Sequence, residues 1–166
     1  MINLELKIYP DELLRKVSQE VKNIDQKLSN IYDQMRILMD KEKGIGLAAP
    51  QIGINERFFI SKDFSDDSDK AIIFINPEII EAEDIVESKE GCLSIPGYYD
   101  YIKRNNKILV SYFDLSGKSK KKEFLDMQSI VFQHELDHLD GILFPDRLPK
   151  IRKDIFFKKI NKEFKK

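Results

Sequence analysis

The sequence predicts an α+β fold, with mixed, mainly antiparallel strands around a central helix, N-terminal helices before them and a C-terminal helix after. Three observations predict it. Ile24, Leu28, Ile31, Met35 and Leu38 recur at spacings of four and three, the period of a helix near the N-terminus. Short runs rich in aromatic and β-branched residues crowd the middle of the chain, as strands do. Residues 127–140 are apolar on two opposite sides of a helical wheel, which suits a helix buried between layers.

The elements follow in order. DELLRKVSQE at 11–20 reads as a short helix after Pro10. Residues 24–42 read as a longer helix, and Lys41, Lys43 and Gly44 suit its C-terminus. Residues 57–61, 71–76 and 107–115 read as strands, the first two joined by a polar loop at 62–70. Pro96-Gly97 and Ser116-Gly117 read as turns, the second leading into a short strand at 122–125. Gly141 stops the helix at 127–140, and residues 149–165 read as a basic, amphipathic C-terminal helix with Ile151, Ile155, Phe156, Ile160 and Phe164 inside. With 166 residues and no internal repeat, one domain over 1–166 is expected.

Composition excludes several function classes. Hydrophobic residues make up 42% and charged ones 34%, enough apolar material for a core. Lys plus Arg is 28 and Asp plus Glu is 29, a net charge of −1, so a basic DNA-binding protein is not expected. The charge is uneven, however. Residues 147–166 carry nine basic and two acidic side chains, which suits a polyanionic partner or simply a solvated helix face. One cysteine, Cys92, excludes disulfide frameworks and multi-cysteine zinc modules. The apolar run at 71–75 falls far short of the roughly 18 residues a membrane span needs, so no membrane partner is expected. MINLELKIYPDEL lacks a basic start followed by an apolar block, so no secretory signal is expected and a cytoplasmic location follows.

The chemistry concentrates in His134-Glu135-Leu136-Asp137-His138. Histidines at i and i+4 of a helix lie about 40° apart around its axis, so both imidazoles can reach one ion. Glu135 projects about 100° from His134, where a carboxylate can exchange a proton beside the ion without occupying it. The pattern also arises by chance, but these are the only two histidines in the chain. Met127, Ile130 and Val131 share their side of the helix and predict an apolar pocket there, whereas Phe132, Leu136 and Leu139 face the other way. An open metal site needs a third protein ligand. Cys92, in Glu90-Gly91-Cys92-Leu93-Ser94, is the candidate, although a lone cysteine is more often a small buried hydrophobe.

GIGLAAPQIG at 44–53 formally contains a dinucleotide fingerprint, but it follows a helix and Pro50 interrupts it. Its small residues either let the backbone approach a ligand, with Gln51 the nearest polar side chain, or form a tight connection on the core. A peptidase sharing the HExxH helix and a closed structural metal site in a binding protein both stay open, though no fourth ligand is apparent near the motifs.

GIGLAAPQIG, EGCLS at 90–94 and QHELDHLDG at 133–141 together resemble, in order and spacing, the three signature motifs of the peptide deformylase family. YPDELLRK, INPEI at 75–79 and the lysine-rich C-terminus are similar as well. The resemblance implies a hydrolase that removes the N-formyl group from N-formylmethionyl nascent peptides and releases formate. It implies a ferrous ion, replaceable by zinc, nickel or cobalt, held by Cys92, His134 and His138. Glu135 would be the general acid and base, with Gln51 and the Leu93 N–H binding the developing oxyanion. Gly44, Ile45 and Gly46 would lie along the substrate, and Ile45, Met127, Ile130, Val131 and the His134 ring would line the methionine pocket. Glu90 and Arg104 match a structural ion pair that holds the Cys92 strand, while Ser88 and Tyr99 depart from the pattern of relatives along the peptide path. The resemblance further implies a bacterial cytoplasm, or an organelle of bacterial descent, and docking of the basic C-terminal helix on the ribosome.

Overall fold

In the computed structural model, which describes residues 3–164, five strands form one sheet in sequence order, every neighbouring pair antiparallel. They are β1 (Gly46–Ala48), β2 (Phe58–Lys62), β3 (Ala71–Cys92), β4 (Ile95–Phe113) and β5 (Ser119–Leu125). Three helices accompany them: α1 (Gln26–Lys41), α2 (Asp126–Leu139) and α3 (Lys150–Phe164). The α+β class and the antiparallel sheet match the expectation.

The helix expected at 11–20 is only a single 3-10 turn, Glu12–Arg15. Asp11 caps it by accepting from the Leu13 N–H. Beyond it the backbone groups are taken by neighbours instead of a helix: Ser18 N–H donates to the Leu139 carbonyl, and Gln19 bridges in parallel to Glu56. By contrast, α1 forms where the periodicity places it, and Asp25 caps it through the Leu28 N–H at 3.0 Å. Its buried face, Leu28, Ile31, Met35, Leu38 and Met39, packs on Leu47, Phe58, Ile60, Ile73 and Ile75 of the sheet, with Ile24 alongside.

The strands at 71–76 and 107–115 are parts of something longer. β3 and β4 pair from Ile75↔Phe113 to Cys92↔Ile95, so the chain between 77 and 106 is strand as well. Pro77 sits where the register shifts between Ile75 and Glu78, the kind of place where a sheet tolerates proline. The turn joining β3 to β4 is Leu93-Ser94; Pro96 and Gly97 lie inside β4, not in a turn. Cys92 is the last residue of β3, directly before this tight turn, and packs against the cluster that contains Ile95, Ile102 and Phe144.

α2 lies where its two apolar sides require. Phe132 meets the rings of Phe59 and Phe74, each at 5.1 Å between centroids, and Leu139 joins the same cluster. The opposite side, with Ile130, Val131 and His134, faces a cavity. The C-terminal helix forms, but Ile151 and Ile155 are exposed, not inside. Tyr9, Tyr98 and Phe144 offer an aromatic surface, and the row Phe156, Phe157 and Phe164 takes that contact while Ile160 is buried beside it. Ile151 and Ile155 fall on a different row and face outward. Among the described residues no helix is long and apolar enough to cross a membrane.

Candidate metal centre

Cys92 at the end of β3 meets His134 and His138 of α2. One ligand atom from each lies within 4.8 Å of the others, and Cys92 Sγ stands 3.3 Å from His138 Nε2. Among the described residues this is the one group of such side chains that could hold a metal ion. A thiolate and two imidazoles form a soft, three-donor set that leaves a position open. Beside them Glu135 is buried, and its Oε2 finds no hydrogen-bond partner among the described residues. A buried carboxylate oxygen left unpaired next to three such donors fits a site built for an ion and water.

The two histidines are held differently. His134 Nδ1 lies 2.9 Å from Glu90 Oε1. Glu90 accepts two further bonds from Arg104, each 2.8 Å, so it is ionised and the imidazole nitrogen donates. His134 Nε2 is thereby left as a lone pair for a ligand. Burial pushes the Glu90 carboxyl up, but the Arg104 and His134 hydrogen bonds outweigh it and hold it down at about 2. Burial also acts on Glu135, raising it to about 7 against the pull of His134.

Gln51 sits in the 3-10 turn Ala49–Ile52 and is fixed at both ends of its amide. Its Oε1 accepts from the Ala48 N–H at 2.9 Å, which turns Nε2 toward Ser94 Oγ at 3.0 Å and Cys92 Sγ at 3.5 Å. The glycine segment proves to be an edge strand: among the described residues β1 pairs only with β2. A Cβ on Gly46 would stand 2.5 Å from Glu135 Oε1, so glycine is what lets the strand pass the carboxylate.

A cavity of about 500 Å³ opens in front of these groups. Gly44, Ile45, Gly46, Leu93, Met127, Ile130 and Val131 line it together with Gln51, Cys92, His134 and Glu135. His138 lies behind Cys92 and is not among the lining residues. Ser88, Lys89 and Tyr99 form part of the outer rim, and the Tyr99 ring lies against Gly91, with the Lys89 ammonium 5.9 Å from its centroid.

Sequence reasoning did not find the partners of the polar residues behind the site. Asp137 is buried against Arg104 at 2.7 Å and Arg147 at 2.6 Å. Gln133 bonds the backbone N–H and carbonyl of Asn105, fixing α2 on β4. Their signal was a polar strip on a helix apolar on both sides, because buried polar groups need partners.

Comparison with known proteins agrees with this geometry. The profile of the polypeptide deformylase family matches residues 3–154. The chain is 38% identical over 160 residues to a peptide deformylase of Thermodesulfovibrio yellowstonii, covering 96% of this chain and 97% of that one. It is 39% identical over 163 residues to one of Hydrogenovibrio crunogenus, covering 98% and 96%. Among solved structures, the peptide deformylase of Legionella pneumophila superposes with a TM-score of 0.87 at 35% identity, over 96% of this chain and 94% of that one. One from Synechococcus elongatus in complex with actinonin gives 0.87 at 36% identity, over 95% and 88%. With the motifs, the fold and the near full-length match all in agreement, the chain belongs to the polypeptide deformylase family.

Proposed function

We propose that Cys92, His134 and His138 hold a ferrous ion, that Glu135 is the general acid and base, and that residues 1–166 act as one catalytic domain in a bacterial-type cytoplasm. As a member of its family the chain is a metal-dependent hydrolase that removes the N-formyl group from newly made peptides. The observation that carries the residue assignment is the convergence of the three soft donors within 4.8 Å beside a buried carboxylate with an unpaired oxygen.

When bound, the ion supplies a Lewis acid that polarises the formyl group and brings the pKa of water toward neutrality. Glu135 takes a proton from the attacking water and returns it to the leaving amine. Burial, which raises its pKa to about 7, suits a group that must both accept and donate near neutral pH. The Gln51 Nε2 and the Leu93 N–H bind the developing oxyanion, and losing one such donor typically costs about 10²–10³ in rate. Ile45, Met127, Ile130, Val131 and the His134 ring take the methionine side chain in the apolar part of the cavity. Gly44 and Gly46 let the substrate backbone run beside β1, whose outer edge is unpaired in the sheet. The basic helix α3 is the surface for docking on the ribosome.

Product analysis with matched formylated and unformylated methionyl peptides tests the reading. Formate from the first and no cleavage of the second is expected. Release of a free amino acid from the unformylated peptide, with no formate from the other, overturns it in favour of a peptidase.

A further inference from the structure

Behind the metal centre runs a chain of alternating charges that the reaction does not use. It begins at His134, whose Nδ1 donates to Glu90. Arg104 grips Glu90 with Nε and Nη2 and donates its remaining corner, Nη1, to Asp137 Oδ2 at 2.7 Å. Asp137 is forked in turn by Arg147, with Nη2 to Oδ1 at 2.6 Å and Nε to Oδ2 at 3.1 Å. Glu90, Arg104 and Asp137 are buried. Arg147 is exposed, on the 3-10 turn Phe144–Arg147 that follows α2. A surface side chain is thus joined to a metal ligand through four charge-assisted links.

The charge balance gives the outermost link its weight. Glu90 and Asp137 are two buried carboxylates sharing one buried guanidinium. Exposed ion pairs contribute little, but removing the partner of a buried charge leaves it uncompensated. Without Arg147, Asp137 depends on Arg104 alone, and that guanidinium is already committed to the carboxylate that orients His134. His138 has no comparable anchor, for its Nδ1 finds no partner among the described residues. His134 is therefore the ligand whose orientation is set from outside.

We propose that Arg147 is a positioning residue for the metal centre: through Asp137, Arg104 and Glu90 it holds the His134 imidazole with Nδ1 donating and Nε2 free for the ion. The inference rests on the reading of Cys92, His134 and His138 as ligands. A natural control lies on the same end of α2. Arg57 Nη1 bonds Asp140 Oδ1 at 2.8 Å, and among the described residues neither of these side chains is hydrogen-bonded to Arg104, Glu90 or His134.

The test uses the full chain loaded with cobalt(II), as wild type, R147M, R147K and R57M. Three quantities are read: the rate of cobalt loss to excess chelator, the visible absorption bands, and the thermal midpoint. R147M is expected to lose cobalt on the order of tenfold faster with shifted bands, the low end of what partners behind a metal ligand contribute. Lysine keeps the charge but cannot fork, so R147K should fall between R147M and wild type, and it carries the test should R147M not fold. R57M should keep the wild-type rate and bands whatever its midpoint. Wild-type rate and bands in both Arg147 variants, or equal changes in R57M, overturn the proposal. Wild-type protein whose cobalt shows no thiolate charge-transfer band overturns the ligand reading, and this inference with it.

Discussion

Gly46 and Glu135 share one space, and that contact sets the tolerance of the site. A methyl group at 46 would collide with Oε1, Cδ and Cγ of a carboxylate that is itself buried. Gly46→Ala should therefore displace Glu135 and lower kcat by about 10²-fold or more, within the range a misplaced acid–base group loses, while metal content stays at the wild-type level. Steady-state kinetics with metal analysis on the same sample checks both halves. Cys92→Ala removes the only sulfur of the donor set, so metal and turnover should both be lost. The two histidines could be paired from sequence because helical spacing is local geometry. Cys92 could only be nominated, since its distance from α2 depends on a long strand and a tight turn. The partners of Asp137 went unseen for the same reason. Asp137 lies inside the motif, yet its partners arrive from β4 and from the turn after α2.

Among the elements, α1 and α2 were readable because an apolar stripe repeats every three or four residues along each. The long β3–β4 hairpin was readable only where it is buried. Residues 78–89 of β3 are largely solvent-facing, charged and interrupted by register shifts, so neither alternation nor β-propensity marks them. The segment at 11–20 has helical composition, but hydrogen bonds to Leu139 and a bridge to Glu56 pull it into an extended path. α2 is anchored by Phe132, whose ring meets Phe59, Phe74 and Phe124. Phe132→Ala should cost about 3–5 kcal/mol through lost burial and the cavity left behind. Urea unfolding followed by far-UV circular dichroism measures it. A cost under 1 kcal/mol would mean that α2 is not held from that side.

Over the whole molecule the net charge is uneven, with acidic and basic side chains mixed through the body and an excess of basic ones at the C-terminal end. Basic side chains collect along α3, and the exposed Ile151 and Ile155 sit among them. Sequence periodicity gave the helix but not which apolar row would pack, because the aromatic surface of Tyr9, Tyr98 and Phe144 comes from distant parts of the chain. The donor set also has a consequence for the intact enzyme. A cysteine thiolate is the readily oxidised form of the residue, so a ferrous enzyme ligated by Cys92 should lose activity in air and keep it under argon. Replacing iron with nickel should slow that loss, as time courses of activity in air would record. On the proposed reading, turnover depends on an ion at Cys92, His134 and His138 and on proton transfer by Glu135. It is tested most directly by formate release from a formyl-methionyl peptide, on protein prepared without oxygen and with metal content determined on the same sample. Release should rise in proportion to bound metal in the wild type and vanish in Glu135→Ala at equal metal content. No release from fully metallated wild type, or near-normal release from Glu135→Ala, would contradict it.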